Sequence, residues 1–269
     1  MKINVGGVNI DNVTKSEAIE RIDGFIKSGE PHYVVTPYSE MIVFASNSEN
    51  YRQVLNAADL SLADGVGILW AAKYLSLKNT FFSVFISLAA IVFDPNYIRS
   101  VIREQITGSR LIYDLAELAQ EKNYSVALVG GQGNVAAQAA YELKKLYPNL
   151  NIKLALSGRP FDAQIVKEIT DSNSDILLVA YSPPKQEIWL AQNLQNLNNK
   201  VAIGLGGTFD YLAGIRRPAP NFMHYTGLEW LWRLMTQPWR FKRMWNAVPV
   251  FIWKIYIFKL KHNAARSTN

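Results

Sequence analysis

Asp64 stands between an apolar run and Gly65-Val66-Gly67. That context sets a carboxylate at the end of a strand and beside the start of a helix. There it can act as a general base toward a substrate hydroxyl, or as a helix N-cap, and the local residues are compatible with both. Thr36 and Gln186 follow two other apolar runs. They are neutral hydrogen-bonding groups, suited to orienting a hydroxyl-rich substrate rather than to moving protons, although each also has ordinary structural uses.

A second kind of chemistry is written in glycines. Ser125 to Ala136 reads as a strand, then Gly131-x-Gly133-x-x-Ala136, then a helix, the alanine-ended form of a dinucleotide fingerprint. A nicotinamide site wants an acid at the end of the next strand to hold a ribose, and that strand ends Leu154-Ala155-Leu156-Ser157-Gly158. The missing acid argues against a dinucleotide and leaves a diphosphate or nucleoside-diphosphate site, with a plain tight turn as the structural alternative. Other run ends carry the same small and turn-forming residues: Thr36-Pro37-Tyr38-Ser39-Glu40, Ser157-Gly158-Arg159-Pro160, Tyr181-Ser182-Pro183-Pro184 and Gly206-Gly207-Thr208-Phe209-Asp210. Such residues let backbone amides approach a phosphate. Candidate substrate contacts at these ends are Gly130, Gly131, Asn134, Tyr181, Gly206, Gly207 and Asp210.

No metal cofactor is expected. The chain has no cysteine, its histidines His32, His224 and His262 are far apart, and no Asp-x-Asp pair is present. Charge on a leaving phosphate would then fall to amides and to Arg216, Arg217, Arg233, Arg240 and Arg243, unless these five form only a solvated basic face.

The elements that must position these groups are β-rich runs at His32 to Thr36, Ser125 to Gly130, Ile152 to Ser157, Ile176 to Tyr181 and Val201 to Leu205. They alternate with helical patterns at Ser39 to Ala58, Ser109 to Lys122, Asn134 to Leu146, Ala163 to Ser172 and Lys185 to Leu197. Strands apolar throughout and separated by helices predict an α/β fold: a mostly parallel, Rossmann-like sheet with helices on both faces. Ligands of such sheets lie at the carboxyl ends of the strands, where the residues named above fall.

Charge divides the chain in two. Residues 214–269 hold ten Lys and Arg against the single carboxylate Glu229, together with five of the seven tryptophans; residues 1–213 are left with 18 basic and 21 acidic side chains. The expectation is a catalytic domain over 1–213 and a basic, aromatic, helical C-terminal appendage over 214–269. Basic residues interleaved with Trp, Phe and Tyr suit an anionic membrane surface; nucleic acid, the rival partner, prefers a polar groove. Met244 to Leu260, interrupted by Pro249 and Lys254, reads as a helix lying on a membrane, with a packed amphipathic helix as the alternative. Phe81 to Phe93 is uncharged but too short to span a bilayer as a helix, so it is core or interfacial. The N-terminus lacks the pattern of a secretory signal. The expected location is cytoplasmic, peripheral on the inner face of the cell membrane.

Taken together, these segments resemble the WecG/TagA/CpsF family of bacterial glycosyltransferases. The resemblance is carried by Val5-Gly6-Gly7-Val8-Asn9-Ile10, Thr36-Pro37, Ala63-Asp64-Gly65-Val66-Gly67, Val129-Gly130-Gly131 and Gly158. It continues through Ser182-Pro183-Pro184-Lys185-Gln186-Glu187, Gly206-Gly207-Thr208-Phe209-Asp210, Arg217-Pro218-Ala219-Pro220 and Gly227-Leu228-Glu229-Trp230-Leu231-Trp232-Arg233-Leu234. It implies a metal-independent, inverting transfer of a sugar, typically N-acetylmannosamine from its UDP form, to undecaprenyl-diphosphate-linked N-acetylglucosamine, feeding teichoic acid or other surface polysaccharide synthesis. On this resemblance Asp64 is the catalytic base, with Thr36 and Gln186 beside it in the acceptor pocket. Asp210, Gly206 and Gly207 belong to the nucleotide site, with Gly130 and Gly131 at the same edge, and the appendage arginines close over the diphosphate. Two departures stand out. An apolar insertion occupies about 75–105, where the family has a short link ending Glu-Arg-Val-Thr-Gly; here Glu104-Gln105-Ile106-Thr107-Gly108 places Gln105 at an active-site arginine, and Arg110 stands at a family acid. Either Arg103 or Arg110 replaces the lost cation, or sugar specificity or activity has changed. The competing readings are a non-catalytic nucleotide-sugar-binding scaffold and an NAD(P)-dependent oxidoreductase; homo-oligomerisation is open.

Overall fold

The computed structural model describes the chain except residues 79–80, 160–161, 221–222, 224–225 and 268–269; Pro160 and His224, named above, lie outside the described residues. The N-terminal segment forms a hairpin of β1 (Lys2–Val5) and β2 (Val8–Asp11). Gly6 and Gly7 adopt φ of 61° and 94°, the left-handed pair that a two-residue hairpin turn requires.

The main sheet contains β3 (His32–Val35), β4 (Leu60–Ser61), β5 (Ser125–Gly130), β6 (Asn151–Leu156), β7 (Ile176–Ala180) and β8 (Val201–Gly204). Their order is β4-β3-β8-β7-β5-β6, and every pairing is parallel. Successive side chains point to opposite faces, so Tyr33 and Val35 enter one core and Val34 the other. Continuous apolar runs arise because helices cover both faces. α1 (Lys15–Ser28) starts with a Thr14–Glu17 capping box and stops at left-handed Gly29. It packs on the second face with α7 (Gly108–Lys122), α8 (Val135–Leu146) and α11 (Thr208–Leu212). The first face carries α2 (Ser39–Asn47), α3 (Glu49–Asn56), α4 (Val66–Ser76), α9 (Ala163–Ser172) and α10 (Lys185–Asn193). The helical pattern from Ser39 to Ala58 is two helices. Ser48 is extended, and its hydroxyl accepts from the Tyr51 N–H, so a local cap outcompetes helix continuation.

The stretch expected to be an insertion contains α5 (Phe81–Phe93) and the short α6 (Pro95–Ile98), packed on α4. The C-terminal segment is helical: α12 (Glu229–Thr236), a 3₁₀ turn at Pro238–Arg240, α13 (Phe241–Trp245), a π turn at Asn246–Val250 and α14 (Phe251–Ser267). Pro249 does not break this helix, because the wider π turn absorbs its missing N–H. Phe251 and Ile255 enter the first core, which docks α14 on α2 and α4. Among the described residues no helix is long and apolar enough to cross a membrane.

Candidate active site

A cavity of about 440 Å³ opens over the carboxyl ends of β4, β3, β8 and β7, roofed by the C-terminal segment. Thr36, Asp64, Gln186, Gly206 and Gly207 line its floor, and Arg216, Arg233, Arg240 and Arg243 its wall. Residues from 36 to 252 in the sequence meet there because parallel strands present their ends at a single edge.

Asp64 does not cap the helix that follows it. Gly65 is the N-cap of α4, while the Asp64 carboxylate accepts from the Gly108 N–H at 3.1 Å, across the cavity floor at the start of α7. A helix start presents partial positive charge to an anion, so the contact fixes the carboxylate where it also faces the cavity. The neighbouring neutral groups are held from below. Buried Thr36 donates to the Gly204 carbonyl at 3.1 Å. Gln186 Oε1 accepts from Gly206 N–H at 2.9 Å, and its amide donates to Glu187 at 2.7 Å. Gly204 has to be glycine here, since a Cβ would lie 2.5 Å from the Gln186 amide nitrogen.

Glu187 is the functional-site residue that the sequence did not single out. It is fully buried and also accepts from Tyr51 Oη at 3.0 Å. Burial pushes its carboxyl up to about 7 against the opposing hydrogen bonds from Gln186 and Tyr51. Its only sequence signal is a place in the Ser182–Glu187 motif; that it lies beneath the site is a tertiary fact.

The arginines differ in what they do. Arg243 pairs with buried Glu40 at 2.8 Å and donates to Tyr38 Oη at 3.0 Å, fastening α13 to α2. Burial opposes its charge, and Glu40 outweighs that and holds the guanidinium above its ordinary pKa. Arg216 pairs with Asp210 at 3.1 Å, so Asp210 reaches the cavity through that guanidinium rather than lining it. For Arg233, burial is outweighed by Tyr211, Glu229, Asp64 and Tyr38, and its pKa rises. Arg240 donates to Gln237 Oε1 at 3.0 Å. Burial, then repulsion from Arg243, Arg216 and Arg233, lowers it to about 10. A guanidinium disfavoured by three cationic neighbours at a cavity wall is one that a bound anion would relieve. Arg217 is exposed and outside the cavity lining.

Gly130, Gly131, Asn134 and Tyr181 also lie outside the cavity lining, at the ends of β5 and β7. Chain connections diverge between these two strands, one running to β6 and the other to β8, which makes their ends the switch point of the sheet. Gly130 packs so closely that a Cβ would fall 2.7 Å from the Ala180 carbonyl. Gly131, at φ 77°, donates to the same carbonyl at 3.1 Å. Ser157, where a dinucleotide fold would carry its acid, accepts from the Ala136 N–H at 3.1 Å and occupies one amide of the α8 start. Asn134 is exposed and makes no side-chain cap. The Tyr181 hydroxyl is buried without a hydrogen-bond partner among the described residues, its ring edge-on to Trp189. Among the described residues no three of His, Asp and Glu converge as a metal-binding group.

Comparison with known proteins decides the family. The model of the glycosyl transferase WecG/TagA/CpsF family matches residues 3–88 and 83–265. The chain belongs to that family. The two matched stretches overlap at residues 83–88, inside α5. The chain is 25% identical over 268 residues to proteins of Staphylococcus aureus strains MRSA252 and NCTC 8325, covering 98% of this chain and 96% of each relative. Both are named N-acetylglucosaminyldiphosphoundecaprenol N-acetyl-beta-D-mannosaminyltransferase.

The three residues weighed around the expected insertion separate in the structure. Gln105 lines the cavity. Arg103 is turned away, bound to Glu17 and to the Asn12 carbonyl at 2.8 Å, and Arg110 is exposed outside the lining. Among the described residues the arginines and lysines lining the cavity are Arg216, Arg233, Arg240 and Arg243, all from the C-terminal segment.

Proposed function

We propose that this glycosyltransferase moves a sugar, N-acetylmannosamine or a related hexose derivative, from a UDP-sugar to a polyprenyl-diphosphate-linked acceptor sugar, without a metal. Asp64 takes the proton of the acceptor hydroxyl as that oxygen attacks the anomeric carbon from the side opposite the diphosphate. The bond from the anomeric carbon to the diphosphate oxygen breaks with its electron pair, UDP departs, and configuration inverts. Arg233 and Arg240, with Arg216, meet the developing charge in the role a metal plays elsewhere. The nucleotide lies at the switch point, along the Gly130–Asn134 turn and Tyr181, and Gly206, Gly207 and Asp210 bridge toward the cavity. The C-terminal segment from 214 onward is the membrane-facing part, with Trp239, Phe241, Trp245 and Trp253 exposed among its basic residues. Such a segment suits a peripheral position on the inner face of the cell membrane.

The observation that carries the reading is one cavity holding a fixed carboxylate opposite the guanidiniums of Arg216, Arg233, Arg240 and Arg243, with Arg240 disfavoured by its cationic neighbours. The test is UDP release from UDP-N-acetylmannosamine with a short-chain lipid-diphosphate N-acetylglucosamine acceptor in EDTA. Turnover survives chelation, requires acceptor, and falls by about 10³-fold in Asp64→Asn. Turnover that needs a divalent metal, or an Asp64→Asn variant of unchanged rate, overturns the mechanism. UDP binding with no transfer from any donor tested would favour a scaffold.

A further inference from the structure

Helix α5 is built inside out. Its 13 residues carry no charge, and its two serines, Ser83 and Ser87, are the buried ones. Ser87 accepts from Trp70 Nε1 at 2.9 Å and donates to the Val84 carbonyl, so the polar side chains are spent on the protein. Phe81, Phe82, Phe85, Ile86, Ala89, Val92 and Phe93 recur at helical spacing on the outer face. Phe82, Phe85 and Phe93 are 69%, 61% and 86% exposed. Water-facing helices show the reverse arrangement, and a contiguous apolar face of this kind marks an interaction surface.

We infer that the outer face of α5 inserts into the apolar layer of an anionic bilayer, seating the cavity mouth at the membrane surface. Thirteen helical residues extend about 20 Å, too short to cross the hydrocarbon core and suited to lying in the interface. The bilayer is favoured by what borders the helix. Leu88, Ile91 and Val92 line the same cavity as Val248 and Ile252 of the C-terminal segment, and Ile91 packs so closely on Gly227 that a Cβ there would clash at 2.8 Å. The apolar face therefore adjoins a segment with ten basic residues and one acidic. A symmetric pairing of two copies would bring like patches together and set basic residues against basic ones, whereas acidic lipid headgroups over hydrocarbon complement both parts of the surface. The inner side of α5 then offers an apolar path from bilayer to Asp64 for the acceptor's lipid chain. Only this last consequence rests on the transferase reading.

The chain's lack of cysteine allows a single reporter. Full-length Phe85→Cys, carrying an environment-sensitive fluorophore, is mixed with phosphatidylglycerol–phosphatidylcholine vesicles, with a Tyr141→Cys label on the exposed side of α8 as reference. Emission from position 85 shifts to the blue with vesicles, and that from 141 does not. The triple change Phe82→Ser, Phe85→Ser, Phe93→Ser weakens vesicle affinity by about 100-fold while UDP affinity and turnover of a water-soluble short-chain acceptor stay unchanged. A label at 85 that remains in water while the protein sediments with vesicles overturns the inference, because the C-terminal segment then docks alone. A blue shift without vesicles that grows with protein concentration overturns it in favour of self-association. Vesicle binding requires no sugar transfer, so it fails or holds independently of the proposed reaction.

Discussion

Two ends of one sheet edge contrast in how they are made. Over β4, β3, β8 and β7 the cavity is built of side chains: Asp64, Gln186 and a ring of guanidiniums brought from segments far apart and roofed by the C-terminal helices. At β5 and β7 the proposed nucleotide end is mostly backbone, shaped by Gly130 and Gly131 and the exposed turn before α8. Chemistry that moves a proton and receives charge needs ionisable groups held from below in a partly dehydrated space, whereas cradling a diphosphate-bearing nucleotide needs close backbone approach. Side-chain ends should therefore fail in rate and in pH response, and backbone ends in stability and nucleotide affinity.

Removing a guanidinium makes the sharpest test. Arg240→Ala lowers kcat by about 10²-fold in the UDP-release assay with UDP affinity little changed, because the proposed mechanism has Arg240 meet charge that develops as the bond breaks. An equal loss in ground-state UDP affinity would instead assign it to binding and blur the division between the two ends.

Glu187 supplies the second test, on the cavity side. Its pKa when folded, about 7, lies above the ordinary glutamate value, so the folded state holds a proton that the unfolded chain releases. The stability this contributes is full below pH 4.5 and is lost as pH rises through 7, on the order of 3 kcal/mol in all. Glu187→Gln, which stays neutral, flattens the dependence of Tm on pH between 5 and 8. A wild-type Tm independent of pH across that window would show that the carboxyl is not held protonated.

Gly131→Ala probes the other end. At φ 77° the new Cβ would sit 2.9 Å from Val135, costing about 2 kcal/mol in denaturant unfolding. UDP affinity falls, while kcat at saturating donor is retained. A drop in kcat with unchanged stability would mean that this turn takes part in the chemistry.

The sequence by itself determined the elements and nominated Thr36, Asp64 and Gln186, which the fold brings to one cavity. Apolar runs of strand length alternating with helical periodicity specify a parallel sheet, because local pattern and two-sided burial follow from the same residues. Every parallel pairing and the exact span of β5 agree with that reading. Charge counting isolated the C-terminal segment for the same reason: composition is additive along a chain. Where local preferences competed, sequence was less informative; Ser48 splits one expected helix, and Pro249 is carried through a π turn. Only the tertiary structure decided that Asp64 faces the α7 start instead of capping α4, that Arg243 is committed to Glu40, and that Arg103 and Arg110 are absent from the cavity. It alone showed Glu187 beneath Gln186 and the phenylalanines of α5 facing outward. These are pairings between residues distant in sequence, or choices of which helix face is covered, and both are settled by how already formed elements pack.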